Sequence, residues 1–378
     1  KWNFGQRPFA YTAPSGFKAL CTANLPTPTI EKGSDYFDTK LYTGNGSTQT
    51  ISGLDFDPDF VWVKRRSATA SHVLADVVRG VTNSLYSNLT SQELATEIDG
   101  YVQSVGTGSF SVTAGSNSAN QVNATSSTYV AWTWDAGSST VTNTDGSITS
   151  TVRANASAGF SIVTYTGTGS QATIGHGLGA APGLIVAKRR DSTSNWDVYH
   201  SSLGKDNTIF LNSTGAVVAD TNHWGTSTPD STVFGAIGAG AANNAANGST
   251  QVAYCFAPVD GYSSFGSYTG NGSSDGPFVY TGFRPKWILT KVSSTSGYDW
   301  MVYDTERDTY NIADKFLVPN YAGAEQVESG GTTITTSDID ILSNGFKFRT
   351  TYLDINRSGE TYIYAAFAES PFQYARAR

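Results

Sequence analysis

The hexapeptide Tyr-Thr-Gly-x-Gly-Ser occurs three times in this chain, at Tyr42–Ser47, Tyr165–Ser170 and Tyr268–Ser273, and the residues beyond each copy repeat with it. A Pro stands 16 or 17 residues after each Tyr, at Pro58, Pro182 and Pro285, and a Lys six residues after each Pro, at Lys64, Lys188 and Lys291. Between Pro and Lys run Phe60-Val61-Trp62-Val63, Leu184-Ile185-Val186-Ala187 and Trp287-Ile288-Leu289-Thr290. Such a run, bounded by Pro and Lys, predicts a short buried strand, with Pro at the start where its missing N–H falls outside the ladder. A repeat of this length means one structural unit used three times.

The rest of each copy supports that reading. Eight or nine residues past the Lys comes a second strand pattern: His72 to Asp76, Trp196 to His200 and Trp300 to Asp304. Each copy closes on another apolar strand, ending at Trp134, Phe256 and Phe367, after a polar turn that holds Asn123, Asn247 or Asn356. Thr90 to Glu97 is the least strand-like stretch and is expected to form one short helix. Many short strands with turn signals and no intervening helices argue for antiparallel sheets. The fold class is therefore all-β: three tandem antiparallel β-sandwich or jelly-roll-like modules of about a hundred residues each. The expected boundaries are 1–35 for an N-terminal segment, 36–137 for the first module, 138–157 for a linker hairpin, 158–261 for the second module and 262–378 for the third with its tail.

Composition excludes several classes of function. With a net charge of −7 over 378 residues there is no basic face for nucleic acid. Lys64-Arg65-Arg66 and Lys188-Arg189-Arg190 are read as solvated strand ends. No apolar run reaches the roughly 18 residues of a spanning helix, so no membrane insertion is expected. The two cysteines, Cys21 and Cys255, lie far apart in unlike settings and suggest no disulfide framework. The chain opens on Lys1-Trp2-Asn3 without an initiator Met, and reads as a piece of something longer.

No catalytic or metal motif stands out. The four histidines are scattered, with no metal-ligand spacing. Asp55-x-Asp57-x-Asp59 lacks the Gly and distal Glu of a calcium loop. Asp299, Asp304, Glu306 and Asp308 could supply a carboxylate pair for glycoside hydrolysis, but three of them sit in what reads as an ordinary polar turn. No cofactor, metal or catalytic residue is assigned. The glycan-contact candidates are Trp196 and Trp300, whose rings could stack on sugars, together with His176 in its Gly-flanked loop and His200. The ordinary reading of both Trp residues is core packing, and that of His176 an exposed imidazole in a tight loop.

The opening Asn3 to Phe9 and Pro14 to Leu20 resembles the C-terminal edge of SPRY (concanavalin A-like) domains of tailed-phage virion proteins. The triplicated unit, with Phe160 to Gly167, Gly175 to Gly179, Asn195 to His200 and Gly261 to Gly270, resembles a domain of uncharacterised function found in phages of marine bacteria, cyanobacterial ones especially; the ending Ala365 to Phe372 is similar to the C-terminus of such proteins. The resemblance implies a virion appendage, a tail fibre or capsid fibre on the particle surface, with a SPRY domain and an anchor upstream. The expected function is structural and adhesive: host-surface attachment, by a homotrimer joined to other virion proteins through its N-terminal side, to a bacterial glycan or protein receptor. The alternatives are a polysaccharide depolymerase and a decoration protein without a ligand.

Overall fold

The computed structural model describes residues 29–96, 98–117, 120–221, 223–236, 246–326 and 337–370. The N-terminal stretch that carries the SPRY resemblance, Cys21 and the end from Pro371 lie outside them. Among the described residues, strands dominate and the only α-helix is the single turn Leu353–Asn356. The expected helix at 90–97 does not form among its described residues: Thr90 to Glu93 has no regular secondary structure and leads into the two-residue strand Leu94–Ala95.

Each repeat builds a two-layer sandwich of antiparallel sheets. In all three, the inner sheet has the same four strands at its heart: the strand that runs into or just precedes the Tyr-Thr-Gly turn, the closing strand, the Pro-to-Lys strand and the strand after it. In unit 1 these are Phe37–Thr43, Thr128–Trp134, Phe60–Arg65 and Val73–Asp76, followed by Asn83–Tyr86 and Leu94–Ala95. Unit 2 orders Phe160–Thr168, Asn247–Phe256, Leu184–Arg189 and Trp196–His200 in the same way. Unit 3 repeats the order with Ser263–Thr269, Thr361–Ser370, Arg284–Val292 and Trp300–Asp304. The register repeats too: Phe60 faces Trp134, Leu184 faces Phe256 and Trp287 faces Phe367. The stretch between units 1 and 2 forms the hairpin Thr140–Asn143 and Ser150–Asn155, which joins unit 2's inner sheet.

The outer sheets are smaller: Gln49–Ser52, Ser109–Thr113 and Tyr101–Gly106 in unit 1, Ala172–Gly175 and Val233–Ala236 in unit 2, and Phe278–Tyr280, Gly345–Phe348 and Ile339–Leu342 in unit 3. In unit 2 Tyr165 to Thr168 stays within the strand Phe160–Thr168, whereas in units 1 and 3 the strand ends at Thr43 or Thr269 and the chain leaves the inner sheet at the Gly. There Gly44 and Gly270 lie so close to the backbone of the turn before the closing strand that a β-carbon would stand 2.2 Å from the Ala124 carbonyl oxygen or 2.3 Å from that of Arg357. That is why the turn needs glycine.

Alternation along the central strands gives each inner sheet two apolar faces. Val61, Val63, Tyr129 and Ala131 fill the sandwich of unit 1, while Phe60, Trp62, Trp132 and Trp134 turn the other way into a core shared by all three units. Unit 2 divides likewise, Ile185, Ala187 and Cys255 inward to its own sandwich, Leu184, Val186, Tyr254 and Phe256 to the common core. Consecutive in sequence, the three sandwiches thus form a ring in space around one centre. Trp134, Phe256 and Phe367, which occupy equivalent positions on the three closing strands, meet there with ring centroids 6.1, 5.8 and 5.7 Å apart, marking a pseudo-threefold axis. The indole N–H groups of Trp134 and Trp287 find no acceptor among the described residues; their rings cross at 89° with centroids 5.8 Å apart, edge against face. A cavity of about 30 Å³ remains among Phe60, Trp134, Leu184, Phe256, Trp287 and Phe367.

Candidate functional site: the seams between units

The residues that carry polar chemistry in each repeat converge on the boundaries between units. The first residue of the strand after each Lys reaches across. Trp196 donates its indole N–H to the Tyr86 carbonyl of unit 1 at 2.9 Å, and Trp300 donates to the Phe210 carbonyl of unit 2 at 3.0 Å. His72 stands at the same place in unit 1, with Nε2 donating to the Val318 carbonyl of unit 3 at 2.9 Å and Nδ1 accepting from Trp62 at 3.0 Å. The directions run 1 to 3, 3 to 2 and 2 to 1, so the ring is closed.

The last residue of the same strand repeats the device. Asp76 accepts the Tyr254 hydroxyl of unit 2 at 2.8 Å, and Asp304 accepts the Trp132 indole N–H of unit 1 at 3.0 Å. Both carboxylates are also held by a buried Arg three residues on, Arg79 and Arg307. In unit 2 the position is His200, whose Nε2 donates to the Tyr364 carbonyl of unit 3 at 3.0 Å.

The basic clusters lie at the seams as well. Lys64 and Lys188 are fully buried and not solvated strand ends. The Lys64 ammonium donates to the carbonyls of Arg65 and, in unit 3, Ala322; that of Lys188 donates to the carbonyls of Arg189 and, in unit 1, Thr90, and to the Ser194 hydroxyl. Lys291, also buried, donates to the carbonyls of Val292 and Tyr298. Burial lowers all three ammonium pKa values, Lys64 to about 7 and Lys188 and Lys291 to about 8. Two residues beyond the first two lysines, Arg66 grips Glu325 with bonds of 2.8 and 2.7 Å and Arg190 grips Glu93 with bonds of 3.0 and 2.7 Å, each a two-pronged pair across a seam.

The third seam, between units 3 and 2, keeps the backbone part of this arrangement and loses its charges. The amides of Glu93, Glu325 and Val217 all donate to the carbonyl of the residue opposite, Arg190, Arg66 and Ser293, at 2.8 Å. Yet here Val217 replaces the Glu, Ser293 the crossing Arg, and Leu203 the Arg that would hold it from its own unit.

The sugar-contact expectation does not fit these positions. Trp196 is 0 % and Trp300 2 % exposed, and neither presents a ring face to solvent. His200 is 1 % exposed, with burial lowering its pKa to about 4. His176 is 0 % exposed rather than a solvent-facing loop residue: its Nε2 donates to the Asp230 carbonyl at 3.0 Å and its Nδ1 accepts from the Leu178 amide. The carboxylates are engaged separately. Asp55 pairs with Lys32, Asp57 accepts from the Gly108 amide, and Asp59 pairs with Arg153, while Asp308 pairs with Lys315 and Asp299 accepts from Asn320. Among the described residues no cluster of three His, Cys, Asp or Glu side chains could hold a metal ion.

A single family model, described as a domain of unknown function (DUF7483), matches residues 32–371 and so encloses all three repeats. The chain belongs to that family. The DUF7483 match begins just before the first strand of unit 1 and ends just after the closing strand of unit 3, so the family's one domain coincides with the whole ring. No curated protein and no solved structure matches it.

Proposed function

We propose that this DUF7483 ring is a structural and adhesive element of a virion appendage, a tail or capsid fibre, that holds its binding surfaces toward a bacterial host. The observation that supports it is where the polar chemistry goes: the buried Trp, His, Lys, Arg and Asp side chains of the repeats are bound to one another and to backbone across the seams. They serve to close a body, which is what a load-bearing part needs. A low-charge exterior rich in Ser, Thr and Gly suits an extracellular particle. Loops between strands of a fixed scaffold supply contact surfaces, and several weak contacts on one particle combine into firm attachment. Antibodies raised against the chain test the first half: gold labelling of appendages on particles that encode it is expected, and labelling absent from particles refutes the assignment. Competition tests the second, since excess soluble chain is expected to slow adsorption of those particles to their host.

A further inference from the structure

The three outer sheets are alike in backbone and differ in what they show. On the first strand of each, the residue between the two outward positions is buried: Ile51, Ile174 and Val279. The flanking outward residues are Thr50 and Ser52 in unit 1, and Thr173 and Gly175 in unit 2, where the hairpin before unit 2 covers them through Ser147 and Asn143. In unit 3 they are Phe278, 44 % exposed, and Tyr280, 66 % exposed. Two aromatic rings stand uncovered where the other units place small residues or cover.

From this difference we propose that the outer sheet of unit 3 is a binding site for a neutral glycan, stacked on Phe278 and Tyr280; it rests on the adhesive reading and names its ligand class. Residues two apart on a strand face lie roughly 7 Å from each other, so the two rings can take neighbouring sugars of one chain. Gly345 lies directly across from Tyr280, and a β-carbon there would come within 3.0 Å of the Phe278 ring, so the floor beside the rings stays flat. Lys347, directly across from Phe278, pairs with Asp275 at 2.6 Å, and Arg349 pairs with Asp340 at 2.5 Å. The polar residues on the Phe278 side of the sheet, Lys347 with Asp275 and Arg349 with Asp340 beyond it, thus balance in charge. Such a border offers donors and acceptors to hydroxyl groups, gives an anionic ligand no excess of positive charge, and is too polar for an apolar protein face. Aromatic planes bordered by balanced polar groups suit the C–H faces and hydroxyl edges of uncharged sugars.

The test is a microarray of immobilised neutral and anionic oligosaccharides probed with the intact chain, followed by titration with any that bind. Binding to neutral oligosaccharides is expected, with Phe278→Ala and Tyr280→Ala each weakening it roughly tenfold and the pair abolishing it. Tyr280→Phe is expected to retain it, and the melting temperature of all variants to stay at that of the parent, since both side chains are exposed. Failure to bind any neutral glycan, binding confined to anionic ones, or binding that survives the double substitution overturns the inference. The double variant also separates the two readings: if it blocks phage adsorption as well as the parent does, the glycan site is wrong and attachment stands. If glycans bind but the parent never competes with adsorption, attachment is wrong and the site stands.

Discussion

At His200 the chain keeps an imidazole neutral in a buried seam, and its pKa falls from 6.5 to about 4. The unfolded chain takes up a proton as the pH drops below 6.5, whereas the folded ring resists until about 4. Stability contributed here is therefore complete above the upper value and lost as the pH falls toward the lower, an effect of about 3 kcal/mol. His72, also well below its ordinary value through burial, acts in the same direction. His200→Gln keeps a neutral donor for the Tyr364 carbonyl, so urea unfolding at pH 4.5 and 7 should show a smaller loss on acidification than in the parent. The lysines extend the trend upward. With folded values of about 7 for Lys64 and about 8 for Lys188 and Lys291 against 10.5 unfolded, stability rises from neutral pH toward 10.5 as the unfolded chain surrenders protons that the ring already lacks. Buried tyrosines such as Tyr42, Tyr165 and Tyr254, raised far above 10, oppose it once unfolded phenols ionise. The optimum should lie at roughly pH 9–10, and Lys64→Met should flatten the rise between pH 7 and that optimum in chemical denaturation.

Among the elements, the turn before the closing strand ties down the hexapeptide in units 1 and 3, whereas in unit 2 Asn247 is the exposed first residue of the closing strand, opposite Thr168. Asn123 accepts the Asn45 amide with its side-chain oxygen and donates to the Ser47 carbonyl, and Asn356 does the same with Asn271 and Ser273. Both are buried. Asn356→Ala leaves the part-buried Asn271 amide and the carbonyls of Ser273 and Thr350 without this partner, the last of them buried, and should cost about 1–3 kcal/mol in equilibrium unfolding. These elements are legible in part. The apolar run between Pro and Lys is a real strand in each unit, but all three lysines lie inside it, as does Pro285 opposite Ala368. Asn247 belongs to the closing strand itself, not to a turn before it. The expected helix at Thr90 fails because helix-forming residues there are spent on a tertiary contact, Glu93 being held by Arg190 and Arg79. One signal of the ring is legible as well. The run Phe60 to Val63 has no polar alternation, which means burial on both faces, and a lone sandwich buries only one. What no local pattern discloses is the partner. Arg66 and Glu325 are 259 positions apart, and Lys-Arg-Arg at a strand end reads the same whether it meets water or a neighbouring unit. The same ambiguity lets Trp196 and Trp300 read as sugar platforms when their rings in fact close seams.

For the molecule as a whole, closure makes the three repeats one cooperative body with an identifiable weakest boundary. Two seams carry an Arg–Glu pair backed by a second Arg; the third has Val217, Ser293 and Leu203 in their places. Hydrogen exchange should therefore release the amides of Val217 and Gly297 before those of Glu93 and Glu325, although all four donate to carbonyls across a seam. Cutting the ring apart should be far more damaging than opening it. Residues 158–261 alone would expose Leu184, Val186, Trp196, Tyr254 and Phe256 together, and such a fragment is expected to aggregate or to lack a cooperative melt.

The triangle of Trp134, Phe256 and Phe367 is what three identical subunits would form on a symmetry axis, here drawn from a single polypeptide. Dilution cannot disperse partners that share one backbone, so the melting point should be the same at nanomolar and micromolar protein. Equal subunits must also change in step, whereas three copies in one gene drift separately. Two flanks can stay plain while a third acquires a pair of aromatic rings.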